Sequence, residues 1–118
     1  MRILLIDDDT DGRTTMALIL RQAGHDVIDA PDGLTGLKLL AGPDPFDFVI
    51  TDLVMPGMDG IRFLTKAKEA GLLKCPVGVL SGYYPNGENV AGAAFTMRKP
   101  AEPMELLQKL TAEANATK

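Results

Sequence analysis

Ile3-Leu4-Leu5-Ile6 runs directly into Asp7-Asp8-Asp9, and Phe46-Asp47-Phe48-Val49-Ile50 leads, past Thr51, to Asp52. Both are short apolar runs that end in acid. A run this short is strand length, but periodicity alone does not separate it from a piece of buried helix, so its surroundings decide. Working outward, runs of the same kind recur at Val27-Ile28, Val77-Gly78-Val79-Leu80 and Phe95-Thr96-Met97. Between them apolar residues repeat every three or four positions: Met16, Ile19, Leu20 and Ala23, then Leu34, Leu37 and Leu40, then Ile61, Leu64 and Ala67. Those spacings are helix faces. Gly24 and Gly71 stand where helix C-caps fall, and Gly42-Pro43-Asp44-Pro45 is a loop. Pro103 suits the first turn of a last helix carrying Leu106, Leu107 and Leu110. Strand and helix alternate, which predicts an α/β fold with a parallel sheet covered on both faces. The first and third strands, nearly all apolar, are expected at its centre.

Composition bounds what such a fold can be. The 118 residues suit one domain, with no internal repeat or linker, and 46% hydrophobic residues exclude disorder along most of the length. One cysteine, Cys75, rules out an internal disulfide and fits a reducing compartment. Twelve Lys and Arg against sixteen Asp and Glu leave a net charge of -4, without the basic face that direct nucleic-acid binding needs. No apolar run approaches the length of a spanning helix or a signal-peptide core. The expectation is a soluble, cytoplasmic protein with no membrane or nucleic-acid partner.

Right-handed crossovers make parallel strands end at one edge of the sheet, so residues just after the strands converge. They are Asp7 and Asp8 after the first strand, Asp52 after the third, Ser81-Gly82 after the fourth and Lys99-Pro100 after the fifth. Asp9-Thr10-Asp11 reads as helix N-capping. Asp7 and Asp8 are not explained that way, and open α/β sheets bind ligands in the crevice at this edge. Oxygen-only ligands suit a hard divalent cation, Mg²⁺ before Ca²⁺. Two readings of the set stay open: a buried salt-bridge cluster, or a seat for a phosphoryl group carried on a carboxylate.

With these residues in view the chain resembles, over essentially its whole length, the receiver domains of bacterial two-component response regulators, typified by the chemotaxis regulator. The resemblance rests on Ile6-Asp7-Asp8-Asp9, on Asp52-Leu53-Val54-Met55-Pro56-Gly57-Met58-Asp59-Gly60, on Cys75-Pro76-Val77, on Ser81-Gly82, and on Gly92-Ala93 leading to Lys99-Pro100. It implies one receiver domain over 1–118: a single doubly wound, five-stranded parallel sheet of order 2-1-3-4-5 with helices on both faces. It further implies that Asp52 is the phosphoacceptor and that Asp7, Asp8, Asp52 and the Val54 carbonyl hold Mg²⁺. Ser81 would receive a phosphoryl oxygen and Lys99 would pair with the phosphate, aimed by a cis peptide before Pro100. The implied donor is a histidine kinase or phosphotransfer protein, and the implied output is a downstream target protein or a fused output domain. Such a chain is not an enzyme in the usual sense, although it would catalyse its own phosphorylation and dephosphorylation.

Three positions depart from that pattern. Thr96 stands where receivers place a Tyr or Phe that swings inward, and Phe95 faces the other side of the strand and cannot replace it. The stretch between Ser81 and Lys99 is about one helical turn shorter than is usual in the family, and its content from Tyr83 to Gly92 is poor in helix formers, so the fourth helix, between the fourth and fifth strands, is expected to be short, distorted or absent. Tyr83 and Tyr84 there either form a partner-facing patch or pack on the domain. Ala101 stands where the family often has Phe, which loosens packing under the last helix. His25 is expected in solvent, Cys75 half-buried and unactivated, and Met16, Met97 and Met104 in core gaps. Against the leading phosphoacceptor reading stand a constitutive interaction module that signals without phosphorylation, which Thr96 and the shortened segment favour a little and the intact acid set, Ser81 and Lys99 oppose, and a Mg²⁺-dependent phosphatase, which lacks an evident substrate pocket.

Overall fold

The computed structural model describes residues 1–55, 57–82, 92–99 and 101–116, with the backbone only at Ala116. Expectations for the segment 83–91, including a short fourth helix and the placing of Tyr83 and Tyr84, lie outside these residues, as does the peptide at Pro100. Five strands form one all-parallel sheet of order β2-β1-β3-β4-β5: β1 Arg2–Ile6, β2 Asp26–Ala30, β3 Phe48–Asp52, β4 Val77–Ser81 and β5 Phe95–Arg98. The helices of the described residues are α1 Thr10–Gln22, α2 Gly33–Leu40, α3 Gly60–Glu69 and α4 Pro103–Ala116, the last of which begins at its proline as expected.

Alternation along the strands builds two cores. Ile3 and Leu5 of β1 face one way with Phe48, Ile50, Leu80 and Met97, under α1 and α4. Leu4 and Ile6 face the other way with Val49, Val77 and Val79, under α2 and α3. Every residue of β3 and β4 is buried, which is why these strands read as runs and not as alternations.

Asp9, Asp32 and Asp59 cap three helices, accepting from the amides of Gly12, Thr35 and Arg62. Gly24 and Gly71 follow α1 and α3 with φ of 98° and 70°, a left-handed conformation that glycine adopts without strain.

Some expected core residues are not core. Leu34, Ile61 and Met104 are 54%, 53% and 62% exposed, and each is the second residue of its helix. The residues turned inward at the starts of α2 and α3 are glycines: Gly33, Gly36 and Gly60. A β-carbon on Gly60 would run into the Asp52 carbonyl oxygen, and one on Gly36 would reach 2.5 Å from Ile6 Cδ1. That close approach sets each helix's phase and turns the large neighbour outward. Phe46 is also displaced from the expected third strand, which starts at Phe48. The Asp47 carboxylate accepts from the Arg2 amide at 2.7 Å, and the Arg2 guanidinium lies 4.7 Å over the Phe46 ring.

Candidate functional site

Asp7 follows β1, Asp52 ends β3, Ser81 ends β4 and Lys99 follows β5, so the parallel sheet delivers all four to one edge. Lys99 Nζ donates to Asp7 Oδ2 at 2.9 Å and to Asp52 Oδ2 at 3.0 Å. Both carboxylates are nearly buried, with side chains 8% and 9% exposed. The backbone fixes the set from below: the Lys99 amide donates to the Ser81 carbonyl at 2.8 Å, and the Leu53 amide donates to Asp52 Oδ1 at 2.8 Å. Ser81 itself is fully buried.

Asp7 is held from several sides. Its amide donates to the Ala30 carbonyl at 3.1 Å, its Oδ1 accepts from the Asp9 amide at 3.0 Å, and its carbonyl accepts from Arg13 Nη1 at 2.7 Å. Arg13 also reaches Asp29 Oδ2 through Nε at 3.0 Å. The sequence alone does not disclose this clamp. Its one available signal was Asp29, a charged residue inside a strand, and only the β1–β2 register shows what it holds.

Burial raises the pKa of Asp52, which Lys99 counteracts in part. Burial also pulls the Lys99 ammonium down, but the hydrogen bonds and charges of Asp7 and Asp52 outweigh it and the net pKa is raised. Lys99 is therefore a fixed cation across the neutral range. Burial pushes the Cys75 thiol up to about 11, which keeps it protonated and unreactive as expected. His25, expected in solvent, is half-buried beside the N-terminal amino group, 3.2 Å from its Nδ1, and burial followed by that charge lowers its pKa.

Asp8 is exposed at the mouth, and oxygens of Asp7, Asp8 and Asp52 all lie within 4.8 Å of one another. An octahedral ion with bonds of about 2.1 Å needs ligand oxygens roughly 3 to 4 Å apart. All-oxygen donors at this spacing fit a hard divalent cation such as Mg²⁺, after small side-chain rotations. Val54 lies two residues beyond β3, with its side chain exposed.

Thr96 is half-buried in β5, paired in register with Val79. Phe95 faces the opposite core, stacked on Phe48 with ring centroids 5.6 Å apart, and its ring covers Gly78. It is committed there and does not stand in for an aromatic at 96.

Comparison with known proteins agrees with this geometry. A family model described as the response regulator receiver domain matches residues 3–111. The chain is 43% identical over 75 residues to the chemotaxis protein CheY-3 of Vibrio cholerae, covering 63% of this chain and 57% of that one. It is 33% identical over 122 residues to the response regulator MprA of Mycobacterium avium, covering 100% and 53%. The chain thus spans little more than half the length of these curated relatives. Among solved structures, the receiver domain of the Francisella response regulator 1452 superposes with a TM-score of 0.88 at 25% identity, covering 99% and 98% of the two chains. The receiver domain of the hybrid histidine kinase CckA gives 0.80 at 32% identity, covering 96% and 98%.

Proposed function

The chain belongs to the response regulator receiver domain family, and from that premise we propose that it is a phosphoacceptor switch charged on Asp52. The observation that carries this reading is the Lys99 ammonium bridging two nearly buried carboxylates at the sheet edge, with a third carboxylate within reach of both and Ser81 buried at the end of β4. A purely structural ion pair needs one carboxylate; three that repel one another suit a task that needs negative charge and a cation together.

In this mechanism Asp52, ionised at neutral pH, presents an oxygen to the phosphorus of a phosphohistidine on a histidine kinase or phosphotransfer protein. A P–O bond forms in line as the donor's P–N bond breaks. Lys99 leaves its two-carboxylate bridge to meet charge developing on the transferred oxygens. Ser81 offers its hydroxyl to one of those oxygens from the end of β4. Mg²⁺, when bound by Asp7, Asp8, Asp52 and the Val54 carbonyl, would supply neutralising charge to the same oxygens. Arg13 keeps Asp7 in place through its main chain. The acyl phosphate so formed hydrolyses in time, so the domain catalyses its own charging and discharging. Movement of Ser81 toward the phosphoryl group biases a partner-binding face, read by a target protein or a fused output domain. With Thr96 at the usual aromatic position, the shift is carried without a swinging ring.

Incubation with Mg²⁺ and acetyl phosphate, followed by intact mass measurement, tests this. One added phosphoryl group is expected in the wild type and none in Asp52→Asn. No adduct with acetyl phosphate or with any phosphorylated donor protein would instead support the constitutive module.

A further inference from the structure

α1 and α4 lie on the same sheet face, and between α1 and the stretch from Lys99 to Pro103 that leads into α4 a half-open cleft of about 580 Å³ remains. Sites for small organic ligands run roughly 300 to 1,000 Å³. The walls are apolar, built from Leu5, Met16, Ile19, Leu80 and Ala101. Ala101 leaves the cleft open because it contributes only a methyl group to a wall that a larger side chain would fill.

The charged groups around the cleft are uneven in sign. Asp7, Asp9 and Asp11 line it against one ammonium, Lys99. Lys99 is already shared between Asp7 and Asp52, and Asp9 caps the Gly12 amide. Asp11 is exposed at the first turn of α1, and among the described residues its carboxylate has no hydrogen bond or ion pair. Thr15 adds a hydroxyl one helical turn further along the same wall. Away from Lys99, along α1, an anion meets the like charges of Asp9 and Asp11, whereas a cation gains an ion pair with Asp11 that a neutral body does not.

We propose that the cleft between α1 and the start of α4 binds a compact organic cation, an apolar ring body carrying a single ammonium or amidinium group. The body lies against Met16, Ile19 and Ala101, and the charge reaches Asp11 at the mouth. Nothing in this binding requires a phosphoryl group on Asp52, so it stands or falls separately from the switch.

The test uses three probes that share a ring and differ in charge: naphthylmethylamine, naphthylmethanol and naphthoate. Each is titrated into the isotope-labelled full chain while the backbone amide resonances are followed. Saturable shifts at Gly12, Thr15, Ile19 and Ala101 are expected with the amine, which should bind roughly five-fold tighter than naphthoate, as suits a partly exposed ion pair. Ala101→Phe should fill the cleft and remove the shifts. Should that variant fail to fold, Asp11→Asn decides, since it changes an exposed side chain and should erase the preference for the amine. Absence of saturation, shifts confined to other surfaces, naphthoate binding as tightly as the amine, or a preference that survives Asp11→Asn would each overturn the proposal.

Discussion

Burial makes an ionised Asp52 costly, and Lys99 offsets only part of that cost. The folded chain holds the Asp52 proton to higher pH than the unfolded chain does. This group therefore favours folding at acid pH and disfavours it as pH rises through its folded pKa. Asp52→Asn should then raise the melting temperature of the metal-free protein at neutral pH; a lowered one would mean that the pairing with Lys99 outweighs burial. Lys99 works in the opposite range, because its raised pKa gives stability that is lost only as alkaline pH strips the ammonium. Arg13 makes a separate prediction. Arg13→Met removes the side-chain donor of the Asp7 carbonyl and leaves the part-exposed Asp29 carboxylate with Arg21 alone, at 3.5 Å, a loss of about 1–3 kcal/mol in denaturant unfolding that rests mainly on the Asp7 carbonyl. It should also weaken Mg²⁺ binding roughly ten-fold by calorimetry, as loss of a group supporting a metal ligand does. Arg13→Lys should not restore either, since an ammonium lacks the planar fork that reaches both partners. Unchanged Mg²⁺ affinity in Arg13→Met would remove Arg13 from the account of the site.

Among the elements, the junction of β3 and α3 is the least forgiving. Gly60 lies against the Asp52 carbonyl oxygen, and its amide donates to the Leu53 carbonyl at 2.8 Å. Gly60→Ala should cost about 1–3 kcal/mol of stability through overpacking, and slow phosphorylation because the displaced atom belongs to Asp52. Normal stability and rate in that variant would show that the helix can back away freely. The same junction explains what the sequence disclosed and what it hid. The apolar runs placed all five strands, and the acids, Ser81 and Lys99 at their ends were legible because parallel topology alone brings strand ends together. Helix phase is legible in the body of the helices, where Leu20, Leu64, Ala67, Leu106 and Leu110 are buried as expected, but not at the starts of α2 and α3. Leu34 and Ile61 looked like core because they are large and apolar, whereas the inward positions belong to Gly33, Gly36 and Gly60, whose smallness is what lets the helices sit close. Arg13 stayed hidden for a different reason: its two partners, the Asp7 carbonyl and Asp29, become neighbours only through strand register.

Across the whole chain acids are widespread, but Asp7, Asp8, Asp9 and Asp11 gather at the sheet edge where β1 ends. Binding of Mg²⁺ there should stabilise the entire fold by mass action, about 2.7 kcal/mol at a hundred times the dissociation constant. At roughly 4 °C per kcal/mol this is a rise of about 10 °C in melting temperature. Asp8→Asn should abolish the rise, and an equal rise in that variant would contradict the assigned metal site. The two cores divide the domain into an α1/α4 face and an α2/α3 face, joined at the edge where Lys99 meets Asp7 and Asp52. The switch requires a phosphoryl group on Asp52 at that edge, and chemical trapping locates it. After charging with acetyl phosphate and Mg²⁺, borohydride reduces an aspartyl phosphate to homoserine, which peptide mass spectrometry then places in the chain. Homoserine at position 52 alone is the predicted result; homoserine at position 7 or 8, or none despite a phosphorylated intact mass, would contradict it.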